Sequence, residues 1–288
     1  MASDELMGLV NRLLVSAQAL AAVTARLRLD EQGERGDPAV RAQLDRVVEA
    51  LGLTEKLDQL DAQERRFALS LARSYLAQAM DLVDEPARAG AWTHSDPVLL
   101  NAQGSASGVV ARLFEQAGLG SPDARILDVG TGVAGLAIAL CSTFPGATVV
   151  GLDPWEPALA LARKNVAAAG LDARITLFPT PIESFEDPDG FDLAWLPAFF
   201  IPRAVLENAV ERIFALTRPG GMLVVAAPHG TDDDPLAAAV DDLFTVRSCG
   251  SVVPPEELIT LLERAGFADV HEAERTWQAP LGLVVGRR

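Results

Sequence analysis

ILDVGTGVAGLAIAL, residues 126–140, followed at 149–153 by VVGLD, decides the architecture of this 288-residue chain. An apolar run ends in a carboxylate, Asp128, and turns through Gly130, Gly132 and Gly135 into an Ala/Leu-rich segment. The first run reads as a buried strand bounded by glycines, and the segment beyond the turn as a helix. Glycine allows the backbone to bend sharply and lets a ligand lie against bare main chain. The second apolar run closes on another carboxylate, Asp153, in front of a further helical segment.

Working outward, strands are expected at 125–129, 148–152, 175–178, 191–196 and 222–226. Two more are expected at about 270–275 and 281–285, with helices filling the gaps. That alternation is the pattern of an α/β, doubly wound sheet, whose ligands sit outside the carboxyl ends of the strands. The rule selects Asp128, Gly130, Thr131, Gly132 and Gly135 around the first strand end, and Asp153, Pro154 and Trp155 at the second. An acid in the position of Asp153 accepts both hydroxyls of a ribose.

The G-x-G-x-x-G spacing alone also serves dinucleotides, whose pyrophosphate needs an uncluttered helix N-terminus. Asp128, two residues before the first glycine, is a poor neighbour for a pyrophosphate and suits a cationic ligand. LTRPGGMLVVAAP at 216–228 reads as a helix end, a Pro-Gly-Gly turn and a strand, and a later helix ends in AGF at 265–267. With these motifs, the chain from about Gly104 onward resembles the class I S-adenosylmethionine-dependent methyltransferases. The resemblance implies a Rossmann-like seven-stranded methyltransferase sheet with S-adenosyl-L-methionine as cofactor.

It further implies that Asp153 holds the ribose, that Asp128 serves the amino group and sulfonium, and that Pro154 or Trp155 lies on the adenine. Core packing is the other reading of Trp155. Gln103 and Ser107 are placed as partners of the cofactor carboxylate, with ordinary capping chemistry as the alternative, and Gly104 is expected to break the helix that Asp96 and Pro97 begin. The chain departs from the family after the third strand, where Pro181 stands in place of an acid that receives the adenine amino group. Backbone around Thr180 and Ile182, or the Glu183 side chain, is the expected substitute. After the fourth strand WLPAFFIP, residues 195–202, lacks the Asn/Asp-Pro-Pro-Tyr that orients planar nitrogens, which argues against base or glutamine acceptors. Trp195, Phe199 and Phe200 instead suggest an apolar acceptor wall, or core.

Methyl transfer chiefly needs alignment, worth about 7–11 kcal/mol, and a hydroxyl acceptor also needs a base. The chain has three histidines. His229 follows the fifth strand, His94 lies in the connector near the cofactor end, and His271 is expected to be structural. The dimeric plant-type O-methyltransferases place their base after the fourth strand, where this chain has no histidine, so that assignment does not carry over.

Net charge is −16, of which the first 90 residues hold −4 and the remainder −12. So acidic a catalytic half repels a phosphate backbone, which excludes nucleic acid as the expected acceptor. Two cysteines make neither a disulfide framework nor a metal site, as expected of a reducing cytoplasm.

At the N-terminus, Leu6, Leu9, Val10, Leu13, Leu14, Ala17, Leu20, Ala21, Thr24 and Leu27 recur at helical spacing. Acids stand where a secretory leader is basic, and Arg12 and Arg26 interrupt the apolar run, so neither a signal peptide nor a membrane span is expected. A second helix from Pro38 to about Leu51 and a third from near Asp61 to Val83 complete a small all-α domain at 1–90, ahead of a catalytic domain at 91–288. That domain reads as a cap or lid for the acceptor, or as a dimer contact.

The expected function is methylation of a small, partly apolar acceptor at a hydroxyl or carboxylate oxygen. An Ala/Arg/Pro-rich, lysine-poor composition fits natural-product biosynthesis by association. A non-catalytic cofactor-binding relative and a nicotinamide-dependent oxidoreductase are the alternatives.

Overall fold

The computed structural model describes residues 2–90, 92, 95–228, 234–277 and 281–288. They divide into two compact units, Met1–Pro86 and Ala87–Arg288. The first unit is helical: α1 (Ala2–Gln32), α2 (Pro38–Ala50), the short α3 (Thr54–Gln59) and α4 (Ala62–Asp84). Asp37 caps α2 by accepting the amides of Ala39 and Val40, and Pro38 stands at the first helical position. α1 packs on α2 and α4 near its C-terminal end, where Leu27, Val48 and Leu69 are buried. Arg26 and Arg41 pair with Asp45 and Asp30 across α1 and α2. The N-terminal half of α1 is different. Leu6, Met7, Leu13, Leu14 and Val15 are each more than half exposed. By length and apolar content Glu5–Gln32 is the one helix among the described residues that could cross a membrane, despite Arg12 and Arg26.

In the second unit a seven-stranded sheet carries the order β3-β2-β1-β4-β5-β7-β6. The strands are β1 (Arg125–Val129), β2 (Thr148–Leu152), β3 (Ile175–Phe178), β4 (Phe191–Pro197), β5 (Thr217–Pro228), β6 (Ala268–Glu272) and β7 (Leu281–Arg287). All pairs among the first five are parallel, whereas β7 runs antiparallel to both β5 and β6. Apolar side chains point to both faces because both are covered, as parallel sheets require. One face, with Ile126, Val149, Leu193 and Val224, packs on α6 (Val109–Gln116), α7 (Gly135–Thr143) and α8 (Glu156–Ala168). The other, with Leu127, Leu152, Leu196 and Val225, packs on α9 (Arg203–Leu216) and α11 (Pro255–Ala265). The unit also holds α5 (Pro97–Ser107) and α10 (Pro235–Arg247).

Several expected boundaries shift. β6 covers 268–272 rather than 270–275, with Asp269 at φ 50 and a register irregularity between Ala268 and His271. Gly104 does not break α5, which runs through it to Ser107, and the break falls at Gly108. The reason is packing. A Cβ on Gly104 would lie 2.1 Å from Val133 Cγ2, so this glycine serves close approach rather than chain reversal.

Candidate functional site

β1 and its neighbour β4 diverge into crossovers on opposite faces, so a crevice opens at their carboxyl ends. The glycine turn lies there. Gly130 and Gly132 have φ of 72° and 57°, values at which a side chain is strained. The amides of Gly130 and Thr131 both donate to the Leu152 carbonyl, at 2.8 and 3.0 Å. That of Gly132 donates to Asp153 Oδ2 at 2.9 Å. Three consecutive amides that would face an anion in a phosphate-binding turn are therefore engaged by the protein.

Asp153 directly follows β2. Its second oxygen accepts the Trp155 amide at 2.8 Å, so both oxygens are oriented and each keeps lone-pair capacity for a ligand hydroxyl. Burial raises its pKa, with the Trp155 and Gly132 amides opposing. Asp128 lies one residue inside β1 and is 1% exposed. Its Oδ2 accepts the Thr131 hydroxyl at 2.7 Å. Burial pushes its pKa up to about 7, the Thr131 hydrogen bond opposes this, and the charge of Asp153 adds to it. Asp128 thus shapes the turn from below, through Thr131 and through its field, rather than lining the crevice. Thr131 in turn needs Gly151, where a Cβ would fall 2.7 Å from Thr131 Oγ1. A glycine inside a strand often marks such an approach, and this was the available signal for Gly151.

Around the crevice, α5 presents Leu100 and Gly104 to Val133, and Gln103 shares that helical face. The buried Gln103 Oε1 has no hydrogen-bond partner. Trp155 is half-buried against the Leu100, Val133 and Ala158 cluster, with Trp92 beside it. Trp92 meets the Phe200 ring edge-on at 5.3 Å between centroids, and Phe199 meets Phe200 at 4.8 Å. These rings form an apolar wall between the glycine turn and the segment after β4. Among the described residues no His, Cys, Asp and Glu group is placed to hold a metal ion.

Residues 126–221 match the methyltransferase domain family. A demethylmenaquinone methyltransferase of Thermus thermophilus is 40% identical over 102 residues, 35% of this chain and 46% of that enzyme. The match therefore spans about half the length of the relative. Human N-acetylserotonin methyltransferase, solved with S-adenosylmethionine, has a TM-score of 0.70 at 16% identity and covers 98% of this chain and 97% of its own. The mitomycin 7-O-methyltransferase has a TM-score of 0.64 at 19% identity, covering 100% and 99%. At such identities these two likenesses show the fold, including helices ahead of the sheet.

Within the second unit the expected site residues separate. Gly130, Thr131, Gly132, Asp153 and Trp155 gather at the turn, and Pro154 is exposed beside them. Gly135 faces elsewhere: its missing Cβ would lie 1.9 Å from the Gly104 carbonyl oxygen, so it joins α7 to α5. The Ser107 hydroxyl donates to the Gly104 carbonyl at 2.8 Å, a local helical bond in place of the expected cofactor contact. Gln103 keeps an unpartnered Oε1 that can accept from an ammonium, while its Nε2 can donate to the carboxylate expected for it. Thr180 is half-buried, whereas the Ile182 side chain is buried in the core with Phe185, leaving only its backbone for an adenine. Trp195 is 4% exposed and meets Phe114 edge-on at 5.5 Å. It is core, because β4 turns that face into the sheet's packed layer, and it is not an acceptor wall. Phe199 and Phe200 keep their half-exposed places, joined by Trp92, an aromatic outside any periodic pattern. His271 Nδ1 lies 2.7 Å from the Asp269 carbonyl oxygen on β6, at the edge of the sheet. His229 and His94 lie outside the described residues.

Proposed function

We propose that this chain is a methyltransferase that moves the S-adenosyl-L-methionine methyl group to an oxygen of a small, partly apolar acceptor. The observation that carries this reading is the glycine turn with its amides engaged by Leu152 and Asp153. It leaves a carboxylate placed for a ribose beside a buried acid, with the Gly130, Thr131 and Gly132 amides turned to the protein rather than to a pyrophosphate. The same feature weighs against the nicotinamide alternative.

The residues present fit the cofactor. Asp153 would hold the ribose hydroxyls, the Gln103 oxygen the ammonium, and Trp155 with Pro154 the adenine face. When bound, the cofactor supplies a methyl group already activated on a sulfonium. The protein's part is then alignment, exclusion of water and removal of an acceptor proton. Trp92, Phe199 and Phe200 form the wall for an apolar or aromatic acceptor, which agrees with O-methyltransferase structures of natural-product pathways such as that for mitomycin. His229, which directly follows the last residue of β5, is the proposed base, with His94 second. The acidic charge disfavours nucleic acid as acceptor. Two free cysteines fit a reducing cytoplasm. The exposed leucines of α1 fit a homodimer contact better than a solvated surface.

Calorimetric titration with S-adenosylmethionine, S-adenosylhomocysteine and NAD⁺ tests the reading. Binding of the first two alone supports it, and binding of NAD⁺ alone refutes it. An acceptor screen then separates an enzyme from a binding-only relative, with His229→Ala expected to lower turnover by about 10²-fold or more on a hydroxyl acceptor.

A further inference from the structure

A single side chain of α8 ties α5 to the glycine turn. Asn165 Nδ2 donates to Asn101 Oδ1 on α5 at 2.9 Å and to the carbonyl of Val133, within the turn, at 3.0 Å. An amide nitrogen has two hydrogens, and these two bonds use both. Around this junction α5 meets the turn with almost no side chain between them. Gly104 lies against Val133, and a Cβ on Gly135 would strike the Gly104 carbonyl. Leu100, Val133 and Ala158 close the apolar part of the contact. Gln103, with its buried and unpartnered oxygen, stands one residue from Gly104 on the same face of α5.

We infer that Asn165 is a positioning residue for the cofactor: it fixes the register of α5 against the glycine turn, so that Gln103 and the turn meet one ligand. This rests on the cofactor reading above. The physical reason is electrostatic. Without the Asn165 donor, two oxygens, Asn101 Oδ1 and the Val133 carbonyl, face one partly buried space with their negative ends, and α5 relieves this by moving away. The Val133 side chain at Gly104 and the Leu100 contact are apolar and carry no hydrogen bond that fixes where α5 stops along the turn. The polar junction is therefore what sets the register.

Adenosyl-ligand affinity, measured by calorimetry on the full chain with S-adenosylhomocysteine, tests this. Asn165→Ala and Asn101→Ala should each weaken binding about tenfold, and the double variant no more than Asn165→Ala alone, because both act through one junction. Asn101→Asp keeps an acceptor for Asn165 and should retain wild-type affinity. Hydrogen exchange should quicken in 97–107 of Asn165→Ala while β1 and β2 stay protected. Affinity of Asn165→Ala within twofold of wild type, or a loss in Asn101→Asp equal to that in Asn101→Ala, overturns the inference. If Asn165→Ala fails to fold, the two Asn101 variants decide it. A wild-type chain that binds no adenosyl ligand removes the cofactor reading itself, and this inference with it.

Discussion

The Thr131 hydroxyl donates to the buried carboxylate of Asp128 at 2.7 Å, over the bare Cα of Gly151. Burial holds the proton of Asp128 up to about 7 in the folded chain, against an ordinary value of 3.8. Between those values the folded state binds more protons than the unfolded one, so stability of the free protein falls as pH rises through that window. A cationic ligand favours the ionised carboxylate, so affinity for S-adenosylmethionine should rise as pH passes about 7. Asp128→Asn should flatten both profiles. A pH-independent affinity in the wild type would show that the charge of Asp128 does not reach the ligand.

Asp153 makes a sharper prediction. Its carboxylate orients the Gly132 and Trp155 amides and is the proposed ribose acceptor. Hydrogen bonds to a charged group contribute about 1.5–3 kcal/mol. Asp153→Ala should therefore weaken S-adenosylhomocysteine binding by roughly 10- to 100-fold, with the far-ultraviolet circular dichroism unchanged.

Gly135→Ala should destabilise the fold. The added methyl meets the Gly104 backbone, which cannot rotate away as a flexible side chain would. Overpacking of this kind costs about 1–3 kcal/mol. Denaturant unfolding measures it, and Gly170→Ser, at an exposed turn where nothing lies within 4 Å of a Cβ, is a comparison for backbone strain alone.

Phe200→Ala should separate acceptor from cofactor. The ring touches Trp92 and Phe199, and such aromatic pairs contribute about 0.5–1.5 kcal/mol beyond buried area. The acceptor KM should rise by roughly two- to tenfold while cofactor affinity stays put. A change confined to cofactor affinity would move these rings out of the acceptor site.

The sheet was legible because its signals are local. Each buried parallel strand is a continuous apolar run, and 126–129 and 149–152 announce themselves in that way. The carboxylates and positive-φ glycines of the turn follow, since their chemistry is fixed by backbone shape. Contacts between distant segments were not legible. Gly104 reads as a helix breaker until Val133 and Gly135 are seen against it, and Trp195 reads as a wall until Phe114 meets its edge. The amide of Asn165 carries no sequence signal, because its meaning comes from two partners 64 and 32 residues away.

The carbonyl of Leu152, by accepting both Gly130 and Thr131 amides, holds the turn in shape through the protein's own backbone. Docking of the adenosine moiety then requires no folding of the loop that receives it. Encounter should be governed by diffusion and the acidic field, with an association rate constant that falls with ionic strength for a cationic ligand but not for a neutral nucleoside.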